Sequence, residues 1–222
     1  MTEEGPEVKK QVVGIGTCCY LIYDKDAKDA ALIDIGGDIN ELLDTVEEEA
    51  LRIRYILVTH GHPDHVAGIP EVRKILADAE VCMHRHAYID LQTIGDWIRA
   101  TKSPEETEEA CRDPEFRKLI ELDPASVGEP DRYLDEGDTL QLGGHTIGVL
   151  HCPGHSRGGL CYAVGGFLFS GDVLFRDSVG RVDGQVCWPR DRLADHHLES
   201  GDPFVQLACE SNPRVRPAAP RG

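Results

Sequence analysis

The stretch LVTHGHPDHVAG, residues 57 to 68, places His60, His62, Asp64 and His65 within six positions, directly after the apolar run YILV. A short apolar run bounded by turn residues reads as a buried strand. Such a strand delivers the next loop to a sheet edge, where polar side chains can converge. His60 and His62 stand two apart and share a side if the segment is extended, and Pro63 restricts His62 to that geometry. Asp64 and His65 then turn towards a neighbouring point. This donor set suits a borderline cation such as zinc, which takes imidazole nitrogen and carboxylate oxygen with little geometric preference. A solvated polar loop is the competing reading, and the density of ligands weighs against it.

Around this loop, strand-like and helical patterns alternate. CCYLIYD (18–24) and AALIDIG (30–36), joined by a charged turn, predict a hairpin, and INELLDTVEEEA (39–50) carries Ile39, Leu42, Leu43 and Val46 at helical spacing. RYILVTH follows as a strand, Val72, Ile75 and Leu76 mark a second helix, and EVCM (80–83) a further strand. The charged segment 104–122 predicts one or two surface helices. HTIGVLH, LCYAV and GFLFSGD are short apolar runs between glycine-rich turns, as in a sheet bordering a core. DKD at 24–26 opens like a calcium loop but lacks the glycine and distal glutamate, so it reads as a solvated turn.

With 222 residues the chain has room for one sizeable core. A formal charge of −17 and a pI near 4.9 exclude nonspecific attraction to nucleic acid or to an anionic membrane, and favour a small-molecule substrate. The polar start MTEEGPEVKK and the lack of an apolar run near ~20 residues predict a soluble, cytoplasmic protein. The eight cysteines lack C-x-x-C spacing, so most are expected to be small buried apolar residues. Oligomeric state leaves no mark in the sequence.

THGHPDH, the later PGHS (153–156) and SGD (170–172) resemble successive motifs of the metallo-β-lactamase superfamily. LIDIGGD and GDVLFRDSVGRVD further resemble its short glyoxalase II-like branch, the hydroxyacylglutathione hydrolase-like proteins, over roughly residues 12–184. The resemblance implies an α/β fold, a four-layer αββα sandwich with a metal site at the edge shared by two sheets. It assigns His60, His62 and His155 to a first metal, Asp64 and His65 to a second, and Asp172 as the bridge, with Asp64 and Asp172 the catalytic carboxylates. Zinc is the expected metal, with iron or manganese as alternatives. Two cations sharing a water lower its pKa towards ~7, giving a hydroxide nucleophile without serine or cysteine. A thioester such as an acyl-glutathione suits this chemistry because its thiolate leaves without strong protonation.

Other residues are discounted. His84 and His86 read as exposed loop histidines, and His145 and His151 bracket a strand outside the motifs. Cys152 reads as a packed cysteine. Arg157 and Arg181 read as salt-bridging arginines at least as readily as carboxylate receivers. After Asp172 the resemblance implies a PGHG-like turn whose histidine completes the second site, and no such motif follows. Residues 1–184 therefore read as the metallo-β-lactamase-like domain and 185–222 as an atypical, partly disordered segment. There His196 and His197 come too early to substitute for the missing ligand. Two alternatives to the dinuclear thioesterase stay open: a mononuclear iron persulfide dioxygenase using His60, His155 and Asp172, and a metal-binding member weakened at its second site. A β-lactamase is disfavoured by the lack of a signal peptide.

Overall fold

The computed structural model describes residues 5–101, 103–175, 178–180 and 205–206. Six strands form one sheet in sequence order: β1 (Glu7–Val13), β2 (Thr17–Tyr23), β3 (Asp29–Ile33), β4 (Arg52–Leu57), β5 (Glu80–Met83) and β6 (Arg132–Tyr133). The first three pair antiparallel through tight turns, and β3 to β6 run parallel. Parallel neighbours need crossovers, and helices supply them. These are α1 (Asn40–Glu48), then α2 (Pro63–Val66) and α3 (Ile69–Ile75), and finally α4 (Arg85–Thr101), α5 (Pro104–Ala110), α6 (Pro114–Ile120) and α7 (Pro124–Val127).

The charged segment thus forms two helices rather than one. Ser103 caps α5 with a reciprocal Glu106 capping box, Asp113 caps α6, and each helix has proline at its first turn. That pairing supplies an acceptor to the free N–H groups and removes one of them.

A second sheet contains β7 (Thr139–Leu142), β8 (His145–His151), β9 (Leu160–Val164) and β10 (Phe167–Phe169) as antiparallel neighbours. A two-residue hairpin follows, β11 (Leu174–Phe175) with β12 (Ser178–Val179), and β13 (Val205–Gln206) adds parallel to β10. The alternation of side chains on β2 explains the layering. Cys19, Leu21 and Tyr23 face a core shared with Leu42, Val66, Ile69, Val72, Ala87, Leu91 and Val127 of the helical crossovers. Cys18, Tyr20 and Ile22 face the other way, onto Leu140, Ile147, Val149, Tyr162 and Phe169 of the second sheet. Being covered on both sides, β2 is buried at every position.

The fold is the expected mixed α/β sandwich, and the described residues form one helical layer and two facing sheets. The outer face of the second sheet carries a small cluster around Cys152, Cys161 and Leu168. Buried Tyr162 ties the two sheets together by donating its hydroxyl to the Val58 carbonyl at 2.8 Å. Removing that hydroxyl leaves a buried acceptor unpaired, a cost of about 1–3 kcal/mol.

Strands β1, β6 and β7 were not expected from the sequence. Of the residues marking the second helix, Val72 is buried and Leu76 packs against the core, whereas Ile75 is 67% exposed. Apart from Val205 and Gln206, the segment 185–222 lies outside the described residues. Among those described, no helix is long and apolar enough to cross a membrane.

Candidate metal centre

The loop after β4 is pinned from both sheets. Val58 N–H bonds the Cys82 carbonyl at 2.9 Å, and Leu160 N–H of β9 bonds the Thr59 carbonyl at 2.8 Å. His62 is extended, at φ −71° and ψ 143°, and Pro63 opens α2 behind it. His60 and His62 therefore project to one side, as the proline predicts. Gly61 between them lies against the start of α4, where any side chain would collide with the Ala87 carbonyl.

His155 comes from the loop joining β8 to β9, and Gly158 in that loop packs against the same Ala87 backbone. One turn, at residues 84–87, thus backs both ligand loops. Asp172 sits in a short 3-10 turn at Gly171–Val173 after β10. Gly171 has φ +49°, and a side chain there would run into Thr59, so the turn needs glycine on both counts.

All six residues singled out in the sequence meet at this edge. His60 Nε2 and His155 Nε2 each lie 3.0 Å from His62 Nδ1. Three nitrogens this close share a point at which one cation can accept all three, since zinc–nitrogen bonds of about 2.0–2.1 Å set tetrahedral donors roughly 3.3 Å apart. Asp172 spans two groups, with Oδ1 3.3 Å from His65 Nε2 and Oδ2 3.6 Å from His155 Nε2. Asp64 Oδ2 lies 3.7 Å from His65 Nε2 and accepts the Thr17 hydroxyl at 3.1 Å. The sets His60, His62, His155 and His60, His65, Asp172 each bring their ligand atoms within 4.8 Å, so the donor chemistry fits two adjacent cations.

Asp34 holds this arrangement, and the sequence reading assigned it no role. Its carboxylate accepts from Thr59 N at 2.8 Å, Thr59 Oγ1 at 2.7 Å and His65 Nδ1 at 2.8 Å. With its own proton given to Asp34, the Thr59 hydroxyl accepts from His60 Nδ1 at 3.1 Å. One buried carboxylate therefore leaves Nε2 of both His60 and His65 facing the cluster. Asp34 has φ +53°, a left-handed conformation that aspartate tolerates better than most residues. The available signal was its place at the end of an apolar strand, where a buried acid needs partners.

The electrostatics divide the cluster. Burial, helped by the neighbouring imidazoles, holds His60 well below the ordinary histidine value and His62 down at about 4. Burial would also lower His65, but the carboxylates of Asp34, Asp64 and Asp172 outweigh it and raise its pKa well above normal. For Asp172 burial pushes upwards, and the facing His65 outweighs it, leaving the carboxyl at about 2.

His84 corrects the sequence reading. It is buried, not exposed, and stacks on His151 with ring centroids 4.4 Å apart. With Asp135 the pair forms a third group of potential ligands. However, His84 Nδ1 accepts the His86 backbone N–H at 3.0 Å, so its neutral ring carries the proton on Nε2, the atom nearest Asp135. That proton occupies the position a cation would need. Cys152 is buried as expected, and Arg157 pairs with Asp90 at 2.7 Å. Arg181, His196 and His197 lie outside the described residues.

A two-sheet sandwich bearing a histidine and aspartate cluster at the sheet edge defines a class of metal-using proteins. The sequence profile of the metallo-beta-lactamase superfamily matches residues 14–208, and the chain belongs to that superfamily, most of whose members are metal-dependent hydrolases. Hydroxyacylglutathione hydrolase GloC of Haemophilus influenzae is 32% identical over 173 residues, covering 74% of this chain and 70% of that protein. A probable polyketide biosynthesis zinc-dependent hydrolase, BaeB of Bacillus velezensis, is 27% identical over 89% of this chain and 69% of its own. Among solved structures, TTHA1623 in a di-iron-bound form aligns with TM-score 0.57 and 28% identity, covering 84% of this chain and 82% of that one.

Proposed function

We propose that the protein is a metal-dependent thioesterase that acts on small-molecule thioesters in the cytoplasm. The observation that carries this reading is the convergence of His60, His62 and His155 on one point, with Asp172 spanning from there to His65. His60, His62 and His155 would hold the first cation, Asp64 and His65 would hold the second, and Asp172, which lies against both His65 and His155, would serve as a shared ligand. When bound, two divalent cations, zinc foremost, acidify a water and polarise the substrate carbonyl.

The protein's own residues prepare for this. Asp34 fixes the tautomers of His60 and His65, and Thr17 orients Asp64. The anionic Asp172 and Asp64 offset cationic charge that a buried site would otherwise not tolerate. The similarity to GloC supports a thioester as substrate. The nearness of His62 and His65 to the other donors supports two cations over the three-ligand iron site of a persulfide dioxygenase.

Metal analysis of purified protein, run beside thioester hydrolysis and sulfide-dependent oxygen uptake, tests the reading. Hydrolysis that depends on added divalent metal is expected. One tightly held iron with oxygen consumption and no hydrolysis overturns it.

A further inference from the structure

Beside the metal cluster a cleft of about 740 Å³ opens between the β1–β2 turn, the start of α1, and helices α3 and α6. Thr17 and Asp64 belong to its lining, so it adjoins the side chains already joined by the Thr17–Asp64 hydrogen bond. Its volume is in the range of small-molecule sites, about 300–1,000 Å³.

Two further observations define what it suits. The lining is rich in aliphatic residues, with Ile15, Leu43, Leu119 and Leu122 among them, and it includes Val12 and Ile75. Those two, 56% and 67% exposed, are two of the four large apolar side chains left exposed among the described residues. Folding leaves them open on one cleft, which a scattered surface pattern would not produce. The charge is also one-sided. Asp38, Asp64, Glu71 and Glu115 line the cleft with a single cation, Lys118; Lys118 pairs with Glu115 at 2.7 Å, and Glu71 pairs with Lys74 at 2.7 Å. The one cation of the lining is thus already taken, and an anionic group entering here finds no unpaired side-chain cation among the lining residues.

Building on the thioesterase reading, we propose that this cleft receives the acyl chain of the substrate, and that the chain is uncharged, aliphatic and longer than a two- or three-carbon hydroxyacyl group. The thioester carbonyl sits by the metal cluster at the Asp64 end, and the chain runs out between Val12 and Ile75. Hydrolysis adds water across the acyl C–S bond: hydroxyl goes to the acyl carbon, and the proton to the departing thiolate or to solvent.

The test uses the full chain loaded with zinc and a series of acetyl, butyryl, hexanoyl and octanoyl thioesters on the neutral carrier N-acetylcysteamine, with S-lactoylglutathione for comparison. Ile75→Glu changes an exposed position, so folding is preserved. Binding of non-hydrolysable methyl ketone analogues with the same chains is measured in parallel by calorimetry.

KM should fall along the series from acetyl to octanoyl. Ile75→Glu should raise the octanoyl KM and the Kd of the octanoyl analogue by about tenfold while leaving acetyl turnover within about twofold. Hydrolysis that is indifferent to chain length, or best with S-lactoylglutathione, overturns the cleft assignment and leaves the thioesterase reading standing. Chain-length-dependent binding that Ile75→Glu weakens, without turnover of any thioester, removes the thioesterase reading and supports the cleft as an acyl site. Equal binding of acetyl and octanoyl analogues overturns the cleft in either case.

Discussion

Asp34 accepts a hydrogen bond from His65 Nδ1 at 2.8 Å, with both side chains buried. The same oxygen, Oδ2, accepts the Thr59 hydroxyl, which in turn orients His60. A residue without direct access to the cluster thus sets which nitrogen two of its imidazoles present. Asn at position 34 keeps the shape and tolerates the left-handed backbone, but it loses the charge and one of the two acceptor oxygens. Asp34→Asn should therefore fold, keep its first cation and bind the second about 10- to 100-fold more weakly. Metal titration of the wild type and variant checks this, and equal second-site affinity would show that Asp34 only supports the fold.

Proton release should separate the two cations. Near neutral pH in the metal-free protein, His60 and His62 are neutral because their pKa values are lowered, and His65 is protonated because its value is raised. The first cation therefore displaces little, and the second must displace about one proton, from His65 Nε2. Second-site affinity should rise with pH until the raised His65 value is passed. Calorimetry in two buffers of different ionisation enthalpy measures the difference, and equal release in both steps would contradict the division.

The same shifts set a stability window for the metal-free protein. The raised His65 value contributes stability fully below its unfolded value of about 6.5, and this is lost as pH rises through the folded value. The lowered Asp172 value contributes above its unfolded value of about 3.9, and this is lost as pH falls towards about 2. Thermal melts without metal should show the joint contribution at about pH 4–6.5. Removing it by Asp172→Asn should flatten the profile on the acidic side.

The ligand loop was legible because its donors are adjacent in sequence and Pro63 fixes their direction. Asp34 was not, because its role depends on β3 lying parallel to β4, which brings it beside Thr59 across 25 positions of chain. Strand β1 escaped because the lysines of EVKKQVV interrupt its apolar pattern and only Val13 is fully buried. Strand β6, at two residues, is too short to carry a period. The burial of His84 depends on His151, 67 residues later, which no local pattern could reveal. Ile75 stands at helical spacing from Val72, but only Val72 and Leu76 of that set reach the core.

Backbone packing behind the ligand loops should be as sensitive as the ligands themselves. A side chain at Gly61 collides with the Ala87 carbonyl, and one at Gly158 meets the Ala87 Cα at 2.7 Å. Because these obstacles are backbone, the loops must shift instead. Gly61→Ala is expected to cost about 1–3 kcal/mol and to weaken the first cation site between His60 and His62. Gly148→Ala, whose added carbon lies 3.8 Å from the Ala163 carbonyl, should leave metal content unchanged. Metal content and melting temperature of both variants decide the point.

The two cation sites should also load unequally. His60, His62 and His155 offer three nitrogens, and burial with the neighbouring imidazoles already keeps His60 and His62 unprotonated. Among the described residues, the second site draws on His65, which must first lose a proton, on Asp64, and on an Asp172 shared with the first. Fewer unshared donors and a proton to displace both lower affinity. Dialysed protein should therefore keep about one metal per chain, take up a second only in excess metal, and gain hydrolysis as it does so. His65→Ala should retain the first equivalent and lose the second, whereas His62→Ala should lose the first. Two equally tight equivalents in the wild type, or loss of both in His65→Ala, would mean that the two sites are not divided in this way.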